Sequence, residues 1–536
     1  MLRKFFTQLN GQSKTITSAA VIIGAASLAS KLLGVFRDRV LAGLFGAERT
    51  LDIYYTSFRI PDLVFNLLVL GTLSAGFIPI FTEYIKKDSK EAWRIVNNLL
   101  TLMLFGLIAV CGILIFFTPF IVKFLAPGFS EQELETTSNL ARIMFLSPIL
   151  LGIAGIFGSM LQSFKQFLVF SLAPIMYNVG IIIGAIFFTP SMGIYGLGWG
   201  VVLGAAFHML VQIPSVLWLG YRPRIDFSFI REGVRKILIM MAPRTLSLII
   251  NQANLVVVTI IGSTLQEGSI TIFNLANNIQ SVPLVIFGVS YAIAVFPTLS
   301  EYSNHKEKFI ENFSLTLRQI LFFVIPSSAL LILLRAQVVR AFLGSGRFDW
   351  NDTVITMNTL AIFSMSLFAQ SLIHLFSRAF FAMKDSTTPF IAGIASSVLN
   401  IFLSFLFIKI FFESQVMGLA LAFSVSSIIN LLLLWIVLKI RIGDIDEAKI
   451  FSSTVKIAIA SFCMALSVQG VKYAIEPFFG TQTFVGIAIQ GGVASITGIL
   501  VYCIACFALQ SPEAILFVSS LQKKLLSRFT PTESVE

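Results

Sequence analysis

The segment Ser27–Ala47 reads SLASKLLGVFRDRVLAGLFGA, an apolar stretch long enough to cross a bilayer that nevertheless contains Lys31, Arg37, Asp38 and Arg39. A spanning helix needs about 20 predominantly apolar residues. A Lys or Arg near its centre costs about 2.5–3.5 kcal/mol on insertion scales. Several such charges nearly cancel the gain from the apolar residues, so they must face protein or water rather than lipid. Lys31 and Asp38 are seven positions apart and share one helix face, while Arg37 sits about 100° round the helix from Asp38. Asp38 can therefore pair with one arginine and leave surplus positive charge. A guanidinium suits bidentate contact with phosphate oxygens, and a lysine acts as a point charge.

The rest of the chain sets that segment in a membrane. Of 536 residues, 56% are hydrophobic and only 12% charged, against about 25% charged in an ordinary soluble domain. The mean hydropathy of +0.89 agrees. The apolar residues fall into about fourteen blocks of spanning length between positions 17 and 508, so an all-α polytopic membrane protein is expected. The net charge of +11 comes from short basic loops, such as Lys86, Lys87 and Lys90 after the second block and Arg222, Arg224, Arg231 and Arg235 after the sixth. That pattern is the positive-inside rule, and it puts both termini in the cytoplasm of a multi-pass cell-membrane protein. It argues against nucleic acid as a partner. Arg335, Arg340 and Arg347 fall on the opposite side and weaken the alternation. No small-residue cleavage site follows the first block, which is expected to be a permanent span. Cys503 and Cys506 form a C-x-x-C inside a span with no His or second pair nearby, and are expected to pack rather than bind metal.

The chain also repeats itself. GTLSAGFIPIFTEY (71–84) matches GVSYAIAVFPTLSEY (288–302), so that Pro79, Glu83 and Tyr84 map onto Pro297, Glu301 and Tyr302. Lys165 maps onto Lys384 at almost the same offset. Two copies of a six-span unit, both in one orientation, form a parallel pseudo-twofold repeat about the membrane normal. The expected organisation is an N-lobe over 1–220, a C-lobe over 221–445, two further spans over 446–510 and a cytoplasmic tail over 511–536. Transporters built this way hold substrate between lobes and rock them.

Other candidate site residues follow from charge inside the membrane. Asp52 precedes the second block, Arg59 lies within it, and Arg244 opens the seventh after a proline. His208, alone among apolar residues, reads as a packed histidine. No hydrolase, metalloprotease or P-loop motif is present, and the loops are too short for a catalytic domain, so no enzyme is expected. No cofactor is expected either; the drive for transport is a coupling cation or the membrane potential acting on charged substrate.

Three stretches at the start, SKLLGVFRDRVLAGLFGA (30–47), LDIYYTSFRIPDL (51–63) and GTLSAGFIPIFTEY (71–84), resemble the MurJ (MviN) lipid II flippases of the multidrug/oligosaccharidyl-lipid/polysaccharide exporter superfamily. VVRAFLGSGRFDWNDT (338–353) and SRAFFAMKDSTTPF (377–390) are similar to the same family's later spans. The resemblance implies a polyprenyl-pyrophosphate glycolipid substrate moved to the outer leaflet by alternating access, with the last two spans forming a groove for the lipid tail. It also implies a monomer in contact with membrane lipids and cell-wall synthesis proteins. Lys31, Arg37, Asp38, Asp52 and Arg59 meet the family pattern. The arginine pair that many members carry in the second span is here Phe65 and Asn66, and their Arg and, three residues on, Glu before the eighth-span proline are here Asn278 and Ser281, which leaves Arg244, with Asn277, Asn278 and Gln280 as neutral partners, to supply the C-lobe contact. The alternatives are a flippase for another polyprenyl-pyrophosphate oligosaccharide and a cation-coupled multidrug exporter.

Overall fold

The computed structural model describes residues 16–67, 73–228, 231–411, 414–478 and 483–529. Every regular element among them is helical. Ten helical runs, from Ser89–Leu125 to Phe484–Ala508, are long and apolar enough to cross a membrane. Trp350–Met365 and Leu367–Ala382, bent by 43° at their junction, make an eleventh if taken together. The other three expected blocks fall on α1 (Ile16–Phe45), on α2 (Arg49–Phe65) followed by α3 (Leu73–Lys87), and on the helix Glu232–Ser263. Among the described residues, length and apolarity thus establish ten or eleven spans.

Packing divides the chain into two compact units, Met1–Ile272 with Ser345–Asp349, and Phe273–Gly344 with Trp350–Glu536. This differs from the division at 220 expected from the repeat. The helix Glu232–Ser263 packs on α3 and on α4 (Ser89–Leu125) of the first unit. Small residues permit that approach: Gly76 lies against the Ile237 carbonyl, and Gly233 against the Ile95 side chain. The connection before this helix is also anchored. Asn97 on α4 accepts from the Tyr221 hydroxyl at 2.8 Å and the Arg224 amide at 3.0 Å, and the Asn98 amide donates to the Asp226 and Ser228 carbonyls at 3.0 and 3.1 Å. Arg231 then pairs with Glu91 at 2.8 Å. The basic loop after the sixth span is thus bound to α4 through its backbone, which satisfies polar groups that a loop at a membrane edge would otherwise expose.

Within the first unit, α5 (Glu131–Met144), α6 (Leu146–Ser163), α7 (Phe167–Ile183) and α8 (Tyr195–Leu210) complete the bundle. Glycine decides how α7 meets α8. Gly180 and Gly184 face Gly204 and Gly200, and a Cβ on any of the four would collide with the opposite backbone. This is the small-xxx-small spacing by which membrane helices approach when no hydrophobic effect drives them together. An aromatic chain fills the unit elsewhere: Phe77 stacks on Phe81 at 5.1 Å, Phe81 meets Trp93 at 5.5 Å, and Trp93 meets Tyr221 at 5.6 Å.

The second unit has its own core, with Phe313 edge-on to Phe376 at 5.0 Å and the Tyr502 hydroxyl donating to the Phe322 carbonyl at 2.6 Å. The repeat seen in sequence is written into backbone geometry in both units. Lys165 and Lys384 adopt left-handed φ values of 60° and 61°. Each is followed by the same helix-ending bond, Gln166 amide to Leu161 carbonyl and Asp385 amide to Phe380 carbonyl. Residues 66–67 and Leu284–Val289, at matching positions of the two copies, are both π-helical.

Because Gly184 has no room for a side chain, Gly184→Val should lower folding stability by about 3 kcal/mol or more. Gly106, with open space around it, provides the control. Thermal unfolding of the purified protein in detergent should show a clear drop for Gly184→Val and none for Gly106→Ala.

Candidate functional site

The charged residues of α1 are held by their neighbours in the first unit. Arg37 donates from Nε and Nη2 to Asp38 Oδ1 at 3.0 and 2.7 Å, and from Nη1 to Asn178 Oδ1 at 3.1 Å. Asn178 stands on α7 and anchors itself through its amide to the Pro174 carbonyl at 3.1 Å. Asp38 is only 2% exposed, so the pair is desolvated on its acidic side. Arg37 keeps 21% of its side chain exposed and lines a cavity of about 430 Å³ inside the unit, formed by α1, α2, α6, α7, the end of α8 and Gln212. Lys31 is half-buried on the Asp38 face two turns earlier. Arg59, half-buried on α2, donates from Nε to Thr259 Oγ1 at 2.9 Å. Asp62, one turn further along α2, lines the cavity.

Asp52, expected among the site residues, is fully buried. Its carboxylate accepts from the Gly268 amide, the Thr271 amide and the Thr271 hydroxyl, each at 2.8 Å, and so caps the first turn of the helix Ser269–Pro283. Gln280, 1% exposed, exchanges hydrogen bonds with Gln370 at 3.1 and 3.2 Å and donates to Asn277 at 2.9 Å. These amides join helices within the second unit. His208 is not packed in an apolar core but lines the same cavity as Arg37. Asn277 and Asn278 remain half-buried on Ser269–Pro283. The Arg244 side chain lies outside the described residues.

The motif KDSTTP (384–389) is a structural device. The Asp385 carboxylate accepts the Thr387 and Thr388 amides at 2.9 and 3.0 Å, capping the helix Thr387–Ile408, and pairs with Arg441 at 2.7 Å. Burial pushes its pKa up, but the Thr388 hydrogen bonds and the Arg441 charge outweigh that and hold it below the usual carboxylate range. Sequence reasoning missed Asn178, Thr259 and Gln212. The one available signal was their polarity within or beside apolar blocks, which many packed residues share.

Residues 41–490 match the family model described as Lipid II flippase MurJ. The chain belongs to this family. A probable lipid II flippase MurJ from Buchnera aphidicola subsp. Acyrthosiphon pisum is 30% identical over 77% of this chain and 82% of the relative. The lipid II flippase MurJ of Burkholderia cenocepacia is 26% identical over 79% and 84%. A solved lipid II flippase MurJ in an inward closed conformation superposes with a TM-score of 0.74 at 26% identity, covering 90% of this chain and 98% of that one. An inward-facing multidrug resistance MATE family transporter of the MOP superfamily shares the fold, with a TM-score of 0.63 at 16% identity over 79% and 96%. The MurJ membership makes this a multi-pass membrane transporter rather than a catalyst.

Two outcomes separate structural carboxylates from the groove. Asp52→Ala should cost about 3 kcal/mol or more through the buried donors left unpaired, seen as a lower thermal midpoint, while substrate affinity of the folded fraction stays unchanged. For Asp385 the folded pKa is depressed, so its contribution is present above the unfolded value near 4 and fades as pH falls below it. The stability gap between wild type and Asp385→Asn should be constant above about pH 5 and should shrink below about pH 4, measured by thermal unfolding across that range.

Proposed function

We propose that this protein is a flippase for lipid II, the polyprenyl-pyrophosphate-linked peptidoglycan precursor, and that the α1–α2 charge cluster receives the pyrophosphate. The observation that carries this reading is Arg37: it is tied down by Asp38 and Asn178, yet part of its side chain remains exposed and it lines a cavity. A fixed, partly desolvated guanidinium suits phosphate, because little side-chain freedom is lost on binding and the charge is weakly screened. Lys31, Arg37, Arg39, Arg49 and Arg59 outnumber Asp38, Asp52 and Asp62 on these two helices, so the region is net positive, as an anionic headgroup needs. With Asp52 engaged in a helix cap, the acidic component of the site reduces to Asp38 and Asp62. Arg244 is the remaining proposed cation from the later spans. The membrane is the cytoplasmic membrane, with transport directed to its outer leaflet.

The test is growth of a flippase-depleted strain together with the lipid that co-purifies. Wild type should restore growth and carry lipid II in native mass spectra. Arg37→Ala should fail to restore growth while inserting at normal levels, and Arg37→Lys should restore it only in part, since one ammonium cannot copy two parallel donors. Co-purification of a different polyprenyl-pyrophosphate glycolipid, with no rescue by wild type, would overturn the substrate assignment.

A further inference from the structure

The cavity beside Arg37 has a chemistry that a pyrophosphate does not exhaust. Its volume of about 430 Å³ lies in the range of small-molecule pockets, roughly 300–1,000 Å³, and is far larger than a single ion or water requires. Phe58, Phe65, Phe170 and Tyr177 supply flat apolar walls, and Gln162, His208 and Gln212 supply polar groups.

Gln212 is the informative residue. It is fully buried. Its amide nitrogen donates to the His208 carbonyl at 3.0 Å and lies 3.4 Å from His208 Nδ1. Its Oε1 is buried with no hydrogen-bond partner. Burying an unpaired amide oxygen costs about 1–3 kcal/mol, which is a reason to look for a ligand that pairs it. Gly158 lies close beside it: a Cβ there would sit 3.3 Å from Oε1 and 3.1 Å from the Phe170 ring. An amide oxygen needs a donor. A pyrophosphate at neutral pH offers only acceptors, so the group that satisfies Gln212 is a different part of the ligand.

We infer that this cavity is the recognition pocket for the N-acetylated sugar attached directly to the pyrophosphate, a conclusion that rests on the flippase reading above. The sugar ring presents C–H faces to the aromatic walls, and its hydroxyl or acetamido N–H supplies the donor for Gln212 Oε1. Connectivity supports the placement: the first sugar is bonded to the phosphate, so a phosphate at Arg37 brings that sugar to the cavity which Arg37 itself lines. The pocket thereby gives the transporter a means to distinguish glycosylated carrier from bare carrier.

The test compares dissociation constants of the full-length protein in lipid nanodiscs for lipid II and for undecaprenyl pyrophosphate. Wild type should prefer lipid II. Gln212→Met keeps the volume and removes the acceptor, and should weaken lipid II binding by about five- to tenfold with little change for undecaprenyl pyrophosphate. Gly158→Ala, which crowds Oε1 from the opposite wall, should do the same without altering Gln212. Retained binding of undecaprenyl pyrophosphate reports that each variant is folded. Equal losses for both lipids, or no loss in either variant, would overturn the sugar pocket while leaving the flippase reading intact. Wild type that binds neither lipid would overturn the flippase reading itself.

Discussion

A guanidinium inside a membrane helix has to be answered by something fixed, and for Arg37 the first answer comes from the next residue in its own chain. Removing one partner of a buried ion pair typically costs about 3–5 kcal/mol, because the other is left uncompensated. A transporter must change shape with such charges inside it. A pair between helices of two moving lobes would be made in one state and broken in another. Arg37 and Asp38 ride on one helix, and the third partner, Asn178, belongs to the same packing unit. The charge therefore stays compensated through any rearrangement that keeps this unit intact, while the exposed part of Arg37 stays available.

The first unit achieves that rigidity with glycine as well as charge. The Gly180–Gly204 and Gly184–Gly200 contacts bring α7 and α8 backbone to backbone. Asn178 lies between Pro174 and Gly180 on α7, so the helix that positions the Arg37 acceptor is one held by close backbone contact. Close approach on one face of α7 leaves space on another, where Phe170, Pro174 and Tyr177 border the cavity. The rigid seam and the open pocket thus share a single helix.

Much of this was legible in the sequence, for identifiable reasons. Period and composition exposed the spans, and the charges of α1 stood out because insertion energetics makes them costly. The internal repeat was readable to the residue: Lys165 and Lys384 aligned in sequence and adopt the same left-handed turn. The hydrogen bonds of Asp52 and Gln280 were hidden in the sequence for a common reason. Each looks functional as an isolated polar residue near a span, but its partners are backbone amides or a second glutamine far along the chain, and one sequence does not reveal that pairing. The packing units do not follow the division at 220 read from the repeat, because the helix Glu232–Ser263 packs on α3 and α4, close to Gly76 and Gly233.

Repeats diverge where function is asymmetric, and the helix-ending turn shows how. After Lys384 comes Asp385, which caps the next helix and binds Arg441; after Lys165 comes Gln166, whose side chain makes no cap hydrogen bond to the next helix. The same backbone turn is therefore secured electrostatically in one copy and not in the other. The copies differ in the opposite sense inside the membrane: the first carries Lys31, Arg37, Asp38 and Arg59, and the corresponding spans of the second offer Asn277, Asn278 and Gln280 beyond Arg244. Charge that stabilises one copy at a loop is spent in the other at the cavity.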